Sequence, residues 1–347
     1  MKEELGVKQF DRIVRIPSPT GFDVGDINSY VILPQEGSKQ LVLIDTGVGR
    51  EVAWQALQAG LGQFGFSIKD ITLVLLTHAH TDHFGQAPRI RRESGCEIWG
   101  HEVIHKSVAD YLPEPPRIEM EKDFFRRLGY DNDMYDKIFE YRDFVGDIFE
   151  LCELDKTLVD GDVIPIQDFE LQTIHTPGHC AEEVVFWQAE SRQMFSGDHL
   201  LPDITPVCLL DIPDEPRGVR VHSLSQYYES TDKVLPYDAK YIYPSHGDVM
   251  QDHRELIAGY KLATERRLLK VSRIMEKHGS LTPFEVGQYL FPKAWESEPY
   301  AVSSEVMGHL DMLVDQGYSS VRDDGDVFRY SLISVPDPGA IFQAVIF

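Results

Sequence analysis

The chain has 347 residues, 42% of them hydrophobic, and carries 57 acidic against 33 basic side chains for a formal charge of −24. That length suits one large domain with a small one and a real core, while the acidity repels a phosphate backbone and disfavours nucleic acid as a partner. Apolar runs such as ITLVLL and EVVFW are too short to span a bilayer and MKEELGVKQF lacks the apolar centre of a secretory signal, so the expectation is a cytoplasmic protein that uses no membrane.

In chain order, residues 10 to 47 read as strands and turns: FDRIVRIPSPTG, NSYVILP, the turn EGSKQ and LVLIDTG, the last two runs forming a hairpin. EVAWQALQAGLGQFG has helical spacing, and the continuous apolar run ITLVLL fits a buried strand. A helix over QAPRIRRESG and a short strand at CEIWGH follow. Residues 102 to 156 change character, with charge and aromatics at three- and four-residue steps, and read as a helical insertion. Strand signals then return in TLVDGDVIPI, FELQTIHTPGH, AEEVVFWQA and RQMFSGDHLL. A helix over 219 to 238 and a strand at AKYIYPSHG complete a region of two mixed sheets with helices outside, spanning residues 1 to 250. Beyond it stand a connecting helix (251–278), a winged-helix-like module (279–335) of helices and a hairpin turned at DDGD, and a tail (336–347).

The segment LLTHAHTDHFGQ places four ligand-type residues in six positions. ITLVLL ends just before Thr77, so His78 and His80 follow a strand end where alternate side chains point the same way and two imidazoles can meet one ion. Asp82 and His83 come where the chain turns into the next helix and point to a second, nearby location. Three distant segments repeat the theme of a ligand-type residue at a strand end beside glycine: His179 in IHTPGHC, Asp198 in MFSGDHLL and His246 in IYPSHGD. Cys96, Cys152, Cys180 and Cys208 show no paired spacing and read as free thiols. Cys180 follows His179 directly, and only one of that pair faces a common site. His175 and His199 read as ordinary hydrogen-bonded histidines.

The order LVLIDTG, THAHTDH, HTPGH, SGD, PSHG resembles the metallo-β-lactamase-fold hydrolase superfamily. The resemblance covers the first 250 or so residues apart from the insertion. It implies an α/β fold of the four-layer αββα sandwich type with a two-metal site at one sheet edge. It further implies that His78, His80 and His179 bind the first metal, that Asp82, His83 and His246 bind the second, and that Asp198 bridges both. Two zinc ions suit this donor set, with iron or manganese also acceptable. The expected chemistry is attack by a hydroxide held between ions about 3.5–4 Å apart, with Asp82 orienting it. Asp45 either holds a ligand histidine through its second nitrogen or caps the DTG turn.

The ligand set defines hydrolysis better than the bond attacked. A small ester, thioester or lactone is the expected substrate. The alternatives are a phosphodiesterase or endoribonuclease of the same fold, a mononuclear iron enzyme resembling persulfide dioxygenases, and a noncatalytic metal-stabilised binding protein. Glu305, Asp311, Asp315, Asp323, Asp324 and Asp326 against Arg322 and Arg329 deny the C-terminal module the cationic face that nucleic acid requires. The stretch ERRLLKVSR reads as a solvated helix face. The insertion's aromatics, Phe124, Phe125, Tyr130, Tyr135, Phe139, Tyr141, Phe144 and Phe149, form a lid or substrate wall, or else pack the helices together or a homo-oligomer interface.

Overall fold

Apolar, β-branched runs become the middle of two sheets. The computed structural model describes residues 6–104, 113–140, 150–151, 153–215, 218–295 and 298–342; Tyr141, Phe144, Phe149, Cys152, His105 and the end of the tail lie outside them. The first sheet runs in chain order through β1 (Lys8–Phe10), β2 (Ile13–Ser18), β3 (Ile27–Ile32), β4 (Leu41–Ile44), β5 (Ile71–Leu75), β6 (Glu97–His101) and β7 (Lys156–Leu158). Its hairpin half is antiparallel, and from β4 onward the strands are parallel. β4 is buried at every position, as a parallel strand covered on both faces should be.

The chain crosses to the second sheet between β7 and β8 (Val163–Ile166), within the TLVDGDVIPI segment. There β8, β9 (Phe169–His175), β10 (Val184–Gln188) and β11 (Gln193–Gly197) are antiparallel, and β12 (Tyr241–Pro244) joins β11 in parallel. Ile32, Val42, Ile44 and Leu75 of the first sheet meet Ile164, Leu171, Phe186 and Phe195 of the second in one buried layer. On the far side of the first sheet, α1 (Glu51–Gly62) and α3 (Ala87–Ser94) supply Trp54, Leu57, Leu61 and Ile90. Outside the second sheet, Val185, Trp187, Met194 and Ile242 pack with Leu224 and Tyr227 of α6 (Ser223–Val234) and with Ile257 and Leu268 of α7 (His253–His278). The layers are therefore helix, sheet, sheet, helix.

The insertion contributes α4 (Pro115–Arg127) and α5 (Asn132–Phe139), the latter opened by Asp131, whose side chain accepts from the Met134 N–H. Its described aromatics pack inside the chain. Phe125 meets Tyr130, Tyr135 and Phe139 at 5.4, 5.8 and 5.4 Å between ring centres, all close to edge-on. Tyr130 then reaches Phe284 at 5.1 Å and Trp295 at 5.6 Å, and accepts a hydrogen bond from Ser303 at 2.9 Å.

After α7 come α8 (Pro283–Leu290), α9 (Pro299–Asp315) and the hairpin β13 (Ser319–Asp323) and β14 (Phe328–Leu332). Thr282 and Glu285 form a reciprocal capping box with Pro283 in the first turn of α8. α9 opens with Pro299 in its first turn, where a missing N–H costs no intrahelical bond. The stretch ERRLLKVSR is only partly a solvated face: Leu268, Val271 and Ser272 are buried, while Arg267 lies 3.0 Å from Glu305 of α9. No helix among the described residues is long and apolar enough to cross a membrane.

Candidate metal centre

Four chain segments end at one edge of the paired sheets. β5 leads through Thr77 to His78 and His80, and a single helical turn, α2 (Thr81–Phe84), carries Asp82 and His83. His179 stands in the turn between β9 and β10, where Gly178 has φ 142° and a side chain would collide with the Tyr227 backbone. Asp198 follows Gly197 at the end of β11, and His246 follows β12. All seven residues singled out in the sequence meet here as two groups: His78, His80, His179 and Asp198, then Asp82, His83 and His246.

In the first group His80 Nδ1 lies 2.9 Å from His78 Nε2 and 3.0 Å from His179 Nε2. His179 Nε2 is 3.4 Å from Asp198 Oδ2. Ligands about 2.0–2.1 Å from a tetrahedral zinc stand about 3.3 Å from one another, so this spacing matches a coordination shell. In the second group His246 Nε2 is 3.3 Å from Asp82 Oδ2, and His83 Nε2 is 3.9 Å from Asp82 Oδ1. Asp198 faces both groups: its Oδ1 lies 3.6 Å from His83 Nε2 and 3.7 Å from His246 Nε2.

Hydrogen bonds on the far side of the rings set the tautomers. His179 Nδ1 donates to the Val207 carbonyl at 2.7 Å, His246 Nδ1 to the Asp26 carbonyl at 2.9 Å, and His83 Nδ1 to Asp45 Oδ2 at 2.9 Å. Each bond leaves Nε2 turned into the cluster with its lone pair available. His83 Nε2 is buried and has no hydrogen-bond partner. These donors fit divalent cations, one in each group.

The electrostatics divide the site. Burial, with the His179 ring adding to it, drives His80 down to about 3, and burial with His83 lowers His78 well below its usual value. At His83 burial also favours the neutral ring, but Asp198, Asp82 and Asp45 outweigh it and lift the group to about 10. The same contest raises His246 through Asp198 and Asp82. The charges of His83 and His246 hold Asp82 below its usual value against its burial. Neutral imidazoles on one side and carboxylates demanding positive charge on the other suit adjacent cations.

Asp45 stands behind His83, at the position expected of a residue that orients a ring. Its Oδ1 accepts from the Thr77 N–H at 2.9 Å and its Oδ2 from the Thr77 hydroxyl at 2.8 Å, beside the His83 contact. It therefore also ties down the strand end, and it does so at φ 54°, a conformation rare outside glycine. Against the expectation that only one of the pair faces the site, Cys180 also turns its sulfur inward, 3.8 Å from Glu183 Oε2 and grouped with His78 and Glu183, while His179 joins the first group. His175 is the hydrogen-bonded histidine expected, donating from Nε2 to the Ala181 carbonyl at 2.8 Å, whereas both ring nitrogens of the buried His199 lack a hydrogen-bond partner.

Two buried carboxylates behind the site went unread in the sequence. Glu183 accepts from the Asp198 N–H at 2.9 Å and lies 3.4 Å from His78 Nδ1, linking ligands from both sheets. Burial, with Asp198 adding to it, pushes its carboxyl well up. Glu182 accepts from the Ala79 N–H at 3.3 Å. Their only sequence signal is a pair of acids immediately before the apolar run VVFW. Ser245 also donates to Asp198 and has no signal of its own.

An αββα sandwich carrying paired His and Asp ligand groups at its sheet edge defines a class, the metallo-hydrolases. The chain belongs to the metallo-beta-lactamase superfamily, whose family model matches residues 22–246. It is 28% identical over 309 residues, 87% of this chain and 92% of the relative, to a probable metallo-hydrolase, YqjP, of Bacillus subtilis. An atrochrysone carboxyl ACP thioesterase of Aspergillus fumigatus is 25% identical over 249 residues, 71% of this chain and 59% of that protein. The crystal structure of a metallo-beta-lactamase family protein from Thermus thermophilus superimposes with a TM-score of 0.77 at 22% identity, covering 93% of this chain and 99% of the other. A beta-lactamase domain protein from Burkholderia ambifaria does so at 0.77 and 20%, covering 94% of each.

Proposed function

We propose that this protein is a two-metal hydrolase of a small ester, thioester or lactone. In this reading His78, His80 and His179 hold one ion, Asp82, His83 and His246 hold the other, and Asp198 lies between them. One observation carries it: the two carboxylate oxygens of Asp198 face different groups, Oδ2 toward His179 and Oδ1 toward His83 and His246. A mononuclear iron centre would not call for the second group. Zinc is the metal that suits the three imidazoles best.

Bound ions would supply a Lewis acid and a water acidified toward neutrality. The chain's own residues do the rest. Asp82 stands beside His246 with its carboxylate charged, placed to orient the attacking water. Asp45, Val207 and Asp26 keep His83, His179 and His246 from rotating. The relative that is a thioesterase by name supports carbonyl chemistry, and the −24 charge disfavours a phosphodiester polymer.

The test is metal analysis of the native protein and of His83→Ala, with turnover of acyl thioesters, lactones, phosphodiesters and single-stranded RNA and an Asp82→Ala control. Two transition-metal ions per chain are expected, with about one retained in His83→Ala and its thioester or lactone turnover down about 1000-fold, a loss of several kcal/mol of metal assistance. At most one tightly bound ion together with a fully active His83→Ala variant would sink the reading.

A further inference from the structure

The metal centre opens on one side into a cavity of about 230 Å³ that reaches His80. Besides the end of β9 and the turn after it, which give His175, Pro177 and Cys180, and α6, which gives Ser223 and Gln226, its walls come from three parts of the chain that are remote in sequence. The insertion gives Arg117, Glu121 and Phe139, the segment before α6 gives Leu209, Leu210 and Ile212, and α9 gives Tyr300. Phe139 and Tyr300 meet at 5.7 Å between ring centres, and Tyr300 is held by a hydrogen bond from its hydroxyl to the Leu210 carbonyl at 3.2 Å.

The charges in this cavity are already spent. Arg117 is the only guanidinium or ammonium group among the described lining residues. Its Nε donates to Glu121 at 3.0 Å, and its terminal nitrogens donate to the carbonyls of Pro213 at 2.8 Å and Ile212 at 3.1 Å. Glu121 is fully buried and also accepts from the Tyr135 hydroxyl at 2.8 Å. The remaining lining carboxylates are Glu182 and Asp211, each bound to a backbone N–H. An anionic group entering here away from the ions would lose its hydration, and among the described lining residues no guanidinium or ammonium is left to meet it. A hydrocarbon chain would find Phe139, Leu209, Leu210, Ile212 and Tyr300.

We propose that this cavity receives the acyl group of the substrate and selects a neutral, apolar one, with Phe139 and Tyr300 closing its outer wall. The inference rests on the ester or thioester reading of the metal site and names the class of acyl group. It gives the insertion and the C-terminal helices a shared task that neither can perform alone.

The experiment uses the zinc-loaded full chain and N-acetylcysteamine thioesters carrying acetyl, butanoyl, hexanoyl, octanoyl and succinyl groups, with bis(4-nitrophenyl) phosphate as the phosphodiester. From acetyl upward kcat/KM should rise about fourfold for each methylene buried until the cavity is full. Succinyl should fall at least about tenfold below butanoyl, which has the same chain length without the charge. Phe139→Leu should move the optimum toward longer chains, chiefly through KM, with its melting temperature recorded. Flat dependence on chain length, or succinyl turned over as well as butanoyl, overturns the acyl-cavity proposal alone. The 4-nitrophenyl esters of the same acyl groups and a lactone are run beside them, and failure to hydrolyse any thioester, ester or lactone, with or without phosphodiester cleavage, overturns the carbonyl-hydrolase reading beneath it. If Phe139→Leu does not fold, the wild-type series decides.

Discussion

The ligand edge and the aromatic wall sit side by side but are held together by different physics. At the edge several side chains are aimed by directional bonds, such as Asp45 to His83 or the Val207 carbonyl to His179. In the wall, Phe125, Tyr130, Tyr135 and Phe139 are placed by close packing against one another and against Phe284 and Trp295. Directional bonds hold a geometry that chemistry can use, and they fail individually. Non-directional packing tolerates small shifts, spreads its loss over many neighbours, and shapes a surface. Substitutions at the edge should therefore cost metal and turnover with little loss of stability, and those in the wall should cost stability and change substrate selection with little loss of metal.

The largest effect should come from breaking the wall. Phe125→Ala removes a fully buried ring at the centre of the aromatic set and should destabilise the protein by about 3–5 kcal/mol, measured by denaturant unfolding, with metal content per folded chain unchanged. Loss of metal from the folded variant would show that the two regions are one cooperative unit.

A smaller effect is expected behind the edge. Asp45→Asn keeps the shape but removes the charge facing His83, and should weaken metal binding at the second group by about 10–100-fold in a two-site chelator titration while the first group keeps its affinity. Equal affinity in the variant and the wild type would mean that Asp45 serves only to tie down Thr77.

The mildest effect sharpens the boundary between the regions, where His101 at the end of β6 stacks on His175 at 4.1 Å. Burial, helped by His175, lowers His101 to about 4. Its folded value lies below the unfolded one, so the unfolded chain binds the extra proton between about pH 6.5 and 4. Stability from this group is present above pH 6.5 and is lost as pH falls through 4. His101→Gln should therefore show a shallower drop in stability from pH 7 to pH 5 than the wild type, in melts of metal-free protein; an identical slope would rule His101 out as its source.

Much of the architecture was legible because local patterns report local structure. ITLVLL had to be a buried strand, EVAWQALQAGLG an amphipathic helix, and the ligand residues stood at strand ends beside glycines. The seven ligand-type residues were recognisable by type and spacing, and their meeting place followed from the resemblance in motif order. Glu183 was not legible, since an acid before an apolar run looks like any strand terminus until the fold buries it between His78 and Asp198. The role of the insertion's aromatics also stayed open between lid, packing and interface. Aromatic periodicity says that a face will be buried but not against what.

The sequence by itself determined the layers, the ligand types and the net acidity, because hydrophobic period, side-chain chemistry and charge are properties of short segments or of the whole composition. Only the tertiary structure decided that Glu183 links His78 to Asp198, that Arg117 is neutralised by Glu121, and that Phe139 of the insertion meets Tyr300 of the C-terminal helix. Each is a contact between residues remote in the chain, and its geometry depends on how whole layers pack rather than on any local pattern.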